Sequence, residues 1–206
     1  MSRISTLAYE DWAPELQAAG ASRPSAVELG ISRIIAHRPE IALGLGQFTT
    51  ALRLHRTLPE RLMELVRLRI AFFNQCRSCM AIRYASAVDD GLSEGLVCSL
   101  ERPAEAPDLT DAEKAAIRYG ELMATDHLSI DDQVYDGLRT HFNEPEIVEL
   151  GLWCALCVGV GRLAASWDMV EDLPSAFQQR DGGPMTPWRG EATVVSRPPR
   201  RDARTV

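Results

Sequence analysis

Two cysteines three residues apart, Cys76 and Cys79, are the most chemically suggestive groups in this 206-residue chain. They lie in the stretch ELVRLRIAFFNQCRSCMAIR, residues 64–83, just after a run of helical apolar spacing. A C-x-x-C pair at a helix start suits redox work, because the unpaired N–H groups and the positive dipole end there favour the nucleophilic thiolate. Inside a regular helix, residues three apart hold their Cβ atoms ~5–6 Å apart, whereas a disulfide needs ~3.8 Å, so the pair can close only where the first turn relaxes. Two other readings of the bare pair stay open. It can be half of a zinc site, which needs two further ligands that the local sequence lacks, or two small core residues.

Glu64 is the nearest candidate for proton chemistry. It falls on the stripe Glu64, Leu68, Ala71, Gln75, which turns it partly towards the packed side, where desolvation raises a carboxyl pKa towards that of a useful proton acceptor. The competing reading is a surface carboxylate paired with Arg67 at i+3. A second C-x-x-C, CALC at Cys154 and Cys157, sits inside an apolar helix, where burial makes a thiol inert; it reads as packing. A zinc ion shared by the two pairs would require them to converge on one point. Cys98, alone on a short helix, also reads as packing. His37, His55, His127 and His141 fall near predicted helix ends, and His55, shortly before the Glu64 helix, is the first candidate to fold back towards the pair. Arg162 and Trp167 on the long helix either line a pocket or serve as a solvent-facing arginine and a core tryptophan. No phosphate-binding loop, dinucleotide fingerprint or H-E-x-x-H is present, so nucleotide-dependent and zinc-protease chemistry have no support.

The elements that position these groups are helical nearly throughout. Pro24 suits the first turn of a helix running to Ala36, Pro39 opens a second, and Pro59 begins a third that ends near Asn74. The cysteine pair then starts a fourth, through Tyr84 and Val88 to Gly91. Ser93 caps a short helix over 94–100. TDAE, residues 110–113, forms a capping box for a helix to about Asp126, Ser129 caps one to about Phe142, and NEPE opens a long apolar helix from Glu146 to about Glu171, the expected central element. From Asp172 prolines, glycines and arginines replace apolar periodicity. The reading is an all-α domain over 1–171 and an irregular tail over 172–206, mobile or draped over a neighbouring subunit.

Composition narrows the partners. A net charge of −7, with scattered basic residues, argues against nucleic acid or anionic lipid as the main partner. The N-terminus shows no apolar leader, and the uncharged run from Leu150 to Gly161 falls short of the ~18 apolar residues of a membrane span. Five cysteines, an odd number, do not form a secreted disulfide framework. A cytoplasmic protein, acting without membrane, is expected.

The stretch LPERLMELVRLRIAFFNQCRSCMAIRYASAVDDGLSEGLV resembles the carboxymuconolactone decarboxylase/alkylhydroperoxidase D superfamily, whose signature sets a glutamate twelve residues before the first cysteine of a C-x-x-C and a histidine four after the second. Glu64, Cys76 and Cys79 match in type and spacing, and the likeness in helix pattern runs from about Tyr9 to Val170. The resemblance implies an all-helical bundle and a homo-oligomer, either dimer, trimer or hexamer. It also implies hydroperoxide reduction without a bound cofactor or metal, with Cys79 as peroxidatic thiol, Cys76 as resolving thiol, Glu64 as base and a dithiol as electron donor. Helix-dipole reasoning by itself favours Cys76 as the more activated thiol. The chain departs from the signature at two positions: Arg83 stands where the relay histidine would be, and Ser78 replaces the histidine before the second cysteine. Arginine accepts no proton but can hold a thiolate or a carboxylate by charge. Substitution of both histidines implies a slow peroxidase or another thiol–disulfide role. The alternatives are a lactone decarboxylase, in which Arg83 would clamp a substrate carboxylate, and a non-catalytic oligomeric member.

Overall fold

The computed structural model describes residues 2–19, 26–178, 183–188 and 194–196. Short helices α1 (Pro14–Ala19), α2 (Ala26–Leu29) and α3 (Ser32–Ile35) lead into α4 (Pro39–Leu54) and α5 (Glu60–Asn74). Then come α6 (Arg77–Ala81), strand β1 (Ile82–Tyr84), α7 (Ala85–Asp89), α8 (Glu94–Cys98), α9 (Asp111–Thr125), α10 (Asp132–Arg139), α11 (Glu144–Trp167), α12 (Ser175–Gln178) and strand β2 (Val194–Ser196).

Local signals fix most boundaries. Pro39 occupies the first turn of α4, Ser93 Oγ accepts the Leu96 N–H at the start of α8, and Thr110 with Glu113 forms the capping box of α9. Asn143 and Glu146 form a second box for α11, which Asp168 ends in the left-handed region at φ 56°. Other expectations are corrected. Gly30, at φ 47°, breaks the helix expected to reach Ala36, and Pro24 lies outside the described residues, as does the tail beyond residue 196. Asp131 rather than Ser129 caps α10, by accepting the Val134 N–H. The single helix expected from the cysteines to Gly91 is two helices split by β1, which pairs in parallel with β2 in the register Ile82 with Val194 and Tyr84 with Ser196. A three-residue strand has no stability without its partner, and that partner lies far outside any local window.

The core centres on α5, which buries ten of its 15 residues, whereas α11 buries six of 24. The expected central element is therefore displaced by its neighbour. Helix α5 packs against both α9 and α11. Approach is closest at two glycines: a Cβ on Gly120 would lie 2.9 Å from Val66 Cγ1, and one on Gly161 would lie 2.5 Å from Asn74 Nδ2. Gly161→Ala is therefore expected to destabilise the fold by about 1–3 kcal/mol, read from the denaturant midpoint, because Asn74 must leave its bond to the Cys157 carbonyl.

Two helices expose large apolar side chains among the described residues. On α4, Ile41, Phe48 and Leu54 are 40–56% exposed; on α11, Val148, Leu152 and Leu163 are 42–60% exposed. By length and composition α11 is apolar enough to cross a membrane, and 33% of its most apolar window is buried.

Candidate functional site

The cysteine pair sits at the turn between α5 and α6. Gln75 caps α5 in the left-handed region (φ 51°, ψ 36°) and reverses the chain into Cys76, an extended residue at φ −82°, ψ 94°. Cys76 is the N-cap of α6, outside its regular turns, so the first turn relaxes enough to bring the two Cα atoms to 5.2 Å, and Cys76 and Cys79 are joined as a disulfide. Cys76 Sγ also accepts the Cys79 N–H at 3.3 Å, the position of a capping oxygen. The two sulfurs differ in access: Cys76 is buried and Cys79 half-buried. Ser78 Oγ lies 3.5 Å from Cys76 Sγ, so it attends the sealed sulfur.

Glu64, 2% exposed, is turned into the packed side, as the first reading expects, and it pairs with Arg67, but not as the surface carboxylate of the second reading. Arg67 Nε and Nη2 each donate to one Glu64 oxygen at 2.6 Å, and the Tyr84 N–H donates to Oε1 at 3.1 Å. The same guanidinium reaches the redox helix, donating to the Cys79 carbonyl at 2.7 Å and the Ile82 carbonyl at 2.8 Å. Burial opposes the Arg67 charge, but the Glu64 carboxylate and its hydrogen bonds more than offset this, and the Arg67 pKa is raised. Tyr84, whose ring lies 4.8 Å from the Arg67 guanidinium carbon, has its pKa raised by burial against the opposing pull of Arg67. Glu64 thus holds the arginine that holds the cysteine turn. The i+3 spacing shows the pair, but the carbonyls that it grips cannot be read locally.

Cys157 on α11 lies within electrostatic reach of this buried pair. Burial pushes its pKa up to about 12, Arg67 pulls the other way and Glu64 adds to the rise. Burial also raises the Cys154 pKa well above the ordinary thiol range. Both thiols stay protonated in the fold, which fits the packing reading. Cys157 keeps its proton where an unfolded thiol, ordinarily near 9, has lost it, so the native state binds more protons between pH 9 and 12. The unfolding free energy should therefore fall as pH rises through that window. Denaturant midpoints of the parent and a Cys157→Ala variant across the window measure the component that Cys157 adds.

Arg83 corrects the sequence expectation most sharply. It is 1% exposed and pairs with Glu94 through Nε at 2.9 Å. Its remaining donors go to the carbonyls of Met80, Ile82 and Pro187. Its charge is held by Glu94 rather than by a thiolate. Cys79 packs against an apolar cluster of Ala71, Met80, Ala81, Leu173 and Phe177, which Val170 and Met185 also flank. All four histidines are exposed, His55 included, and among the described residues none hydrogen-bonds to either cysteine. Arg162 donates to Asn74 Oδ1, fixing the end of α5 rather than lining a pocket. Among the described residues no three His, Cys, Asp or Glu side chains gather as a metal site.

Residues 39–122, which carry α4, α5, the cysteine turn and most of α9, match the carboxymuconolactone decarboxylase family model. Over that segment the chain is similar to the carboxymuconolactone decarboxylase family. An uncharacterized Mycobacterium tuberculosis protein is 38% identical over 105 residues, which is 50% of this chain and 36% of that protein. The chain thus spans about a third of the length of that mycobacterial relative. The uncharacterized protein YdfG of Bacillus subtilis is 24% identical over 135 residues, 62% of this chain and 89% of YdfG. Two solved structures share the fold at low identity. The debrominase Bmp8, as a cysteine-to-alanine variant in complex with 2,3,4-tribromopyrrole, superposes with a TM-score of 0.65 at 16% identity, covering 82% of this chain and 90% of that one. An alkylhydroperoxidase AhpD core from Ralstonia eutropha JMP134, an uncharacterized peroxidase-related protein, gives 0.64 at 17% identity over 86% and 94%.

Proposed function

We propose that this chain is a thiol-dependent oxidoreductase that reduces hydroperoxides through Cys76 and Cys79. The observation that carries the reading is the bond between a half-exposed sulfur and a sealed, N-capping one across the first turn of a helix. In the reduced protein the Cys79 thiolate attacks the outer oxygen of the hydroperoxide. An S–O bond forms, the O–O bond breaks, and the alkoxide leaves as an alcohol after taking a proton. The Cys76 thiolate then attacks the Cys79 sulfenic acid sulfur, the S–O bond breaks, hydroxide leaves as water after taking a proton from solvent, and the disulfide forms. A cytoplasmic dithiol returns two electrons and two protons and becomes a disulfide itself.

The apolar setting of Cys79 and the engagement of both Glu64 oxygens by Arg67 support a slow reaction in which solvent supplies the leaving-group proton. Adding one equivalent of cumene hydroperoxide to the reduced protein should remove two titratable thiols and yield one equivalent of cumyl alcohol. Unchanged thiol counts would remove the peroxidase reading. The lactone decarboxylase alternative loses the carboxylate clamp expected of Arg83, and it would be restored by decarboxylation of a carboxymuconolactone that thiol alkylation does not affect.

The exposed apolar side chains of α4 and α11 support a homo-oligomer. Light scattering should return a mass of at least twice 22.8 kDa, and a monomer at micromolar concentration would overturn it.

A further inference from the structure

Both backbone neighbours of the buried sulfur grip the C-terminal part of the chain. Gln75, before Cys76, makes a two-point dock through its side-chain amide: Nε2 donates to the Met185 carbonyl at 3.1 Å, and the Met185 N–H donates to Oε1 at 2.9 Å. Arg77, after Cys76, donates from Nη1 to the Gln178 carbonyl at 2.7 Å and pairs through Nη2 with Asp168. Arg83, on β1 just after α6, adds a bond to the Pro187 carbonyl at 2.7 Å. Two stretches held this way, residues 173–178 and 183–188, place Leu173, Phe177 and Met185 in the apolar cluster that contains Cys79. Trp188 closes the second stretch, its ring 4.6 Å from that of Phe72.

From this arrangement we infer that the two C-terminal stretches form a lid over the cysteine pair whose closure is coupled to the redox state of that pair, an inference that rests on the redox reading of the site. Two bonded sulfurs occupy less room than two thiols in van der Waals contact, so opening the bond presses the Cys79 side chain against the apolar cluster to which Leu173 and Phe177 belong and on which Met185 also packs. The backbone that must yield is residues 75–77, the segment carrying two of the three anchors. Gln75 is held in a left-handed conformation that non-glycine residues rarely adopt, so the turn has reason to relax once the bond is released. The lid is closed over the disulfide and loosened over the dithiol, admitting substrate when the thiolate is available. Coupling is reciprocal, so a lid that prefers the disulfide also favours its formation.

Hydrogen exchange read by mass spectrometry on the full chain tests this. One sample is oxidised and the other is held in dithiothreitol, which gives two electrons and two protons to the pair and becomes a cyclic disulfide. Peptides covering 173–178 and 183–188 should exchange about tenfold faster in the reduced protein, while α9 is unchanged. Gln75→Asn tolerates the left-handed backbone but shortens the amide's reach, and should bring the oxidised 183–188 stretch to the reduced rate. Equal exchange of both stretches in the two redox states of the parent overturns the lid, whether or not the variant folds. Because the readout is exchange rather than turnover, a protein inactive on peroxide can still show the lid, and an active one can lack it.

Discussion

Arg67→Met is expected to destabilise the protein by about 3–5 kcal/mol, the largest single-residue effect away from the cysteines. Removing one partner of a buried ion pair leaves the other charge without compensation, and the cost is the desolvation of that charge rather than the attraction lost. Glu64 is 2% exposed, with both oxygens on Arg67. A domain of this size is stable by roughly 5–15 kcal/mol, so the variant would approach unfolding at ambient temperature. Removing both charges, as Glu64→Leu with Arg67→Met, should recover part of the loss, but not all of it. The Cys79 carbonyl loses the Arg67 donor in either variant and the Ile82 carbonyl keeps only the Arg83 bond at 3.2 Å, and a buried acceptor left unpaired costs about 1–3 kcal/mol. Denaturant unfolding of the parent, both singles and the double measures the coupling. A double variant no more stable than the singles would show that Arg67 acts mainly through the two carbonyls.

Serine at the two cysteine positions should give different chemistry, not two equal losses. Cys79→Ser removes the accessible nucleophile and should lower peroxide consumption at least ~100-fold, to the level of buffer. Cys76→Ser leaves a half-exposed thiol that can still attack once. Its sulfenic acid then lacks the sulfur that would condense with it, so it should persist and be trapped by dimedone as a covalent adduct on Cys79. The opposite outcome, an adduct on Cys76 in the Cys79→Ser variant and none in the other, would transfer the nucleophile's role to the residue that helix-dipole reasoning favours. Equal turnover in both variants and the parent would remove the cysteines from the reaction altogether.

What can be read from sequence follows the range of the interactions involved. The capping box at Thr110, the NEPE start of α11 and the helices led by Pro39 and Pro59 are all set within a few residues, and they hold. Sequence overrates the long helix because apolar composition does not tell cover by the same chain from cover by another, and α11 keeps an outward face of Val148, Leu152 and Leu163. The split of the cysteine helix by β1 is hidden because residues 194–196 decide it. Arg83 reads as a substitute for a relay histidine because spacing gives a position along the helix but not a direction. The structure turns it towards Glu94 and Pro187, away from the sulfurs. The tail reads as irregular, yet Phe177 and Trp188 are buried against its own chain. Its apolar residues are too few for a periodic signal and each fills a distant gap.

The parallel pairing of residue 82 with residue 194 also has a consequence for the newly made protein. A ribosome adds about 5–20 residues each second, so β1 emerges several seconds before the strand that completes it. During that interval Cys76 and Cys79 are translated, unroofed and open to any oxidant or passing thiol. Birth, rather than catalysis, is then the moment when this sulfur pair is most vulnerable.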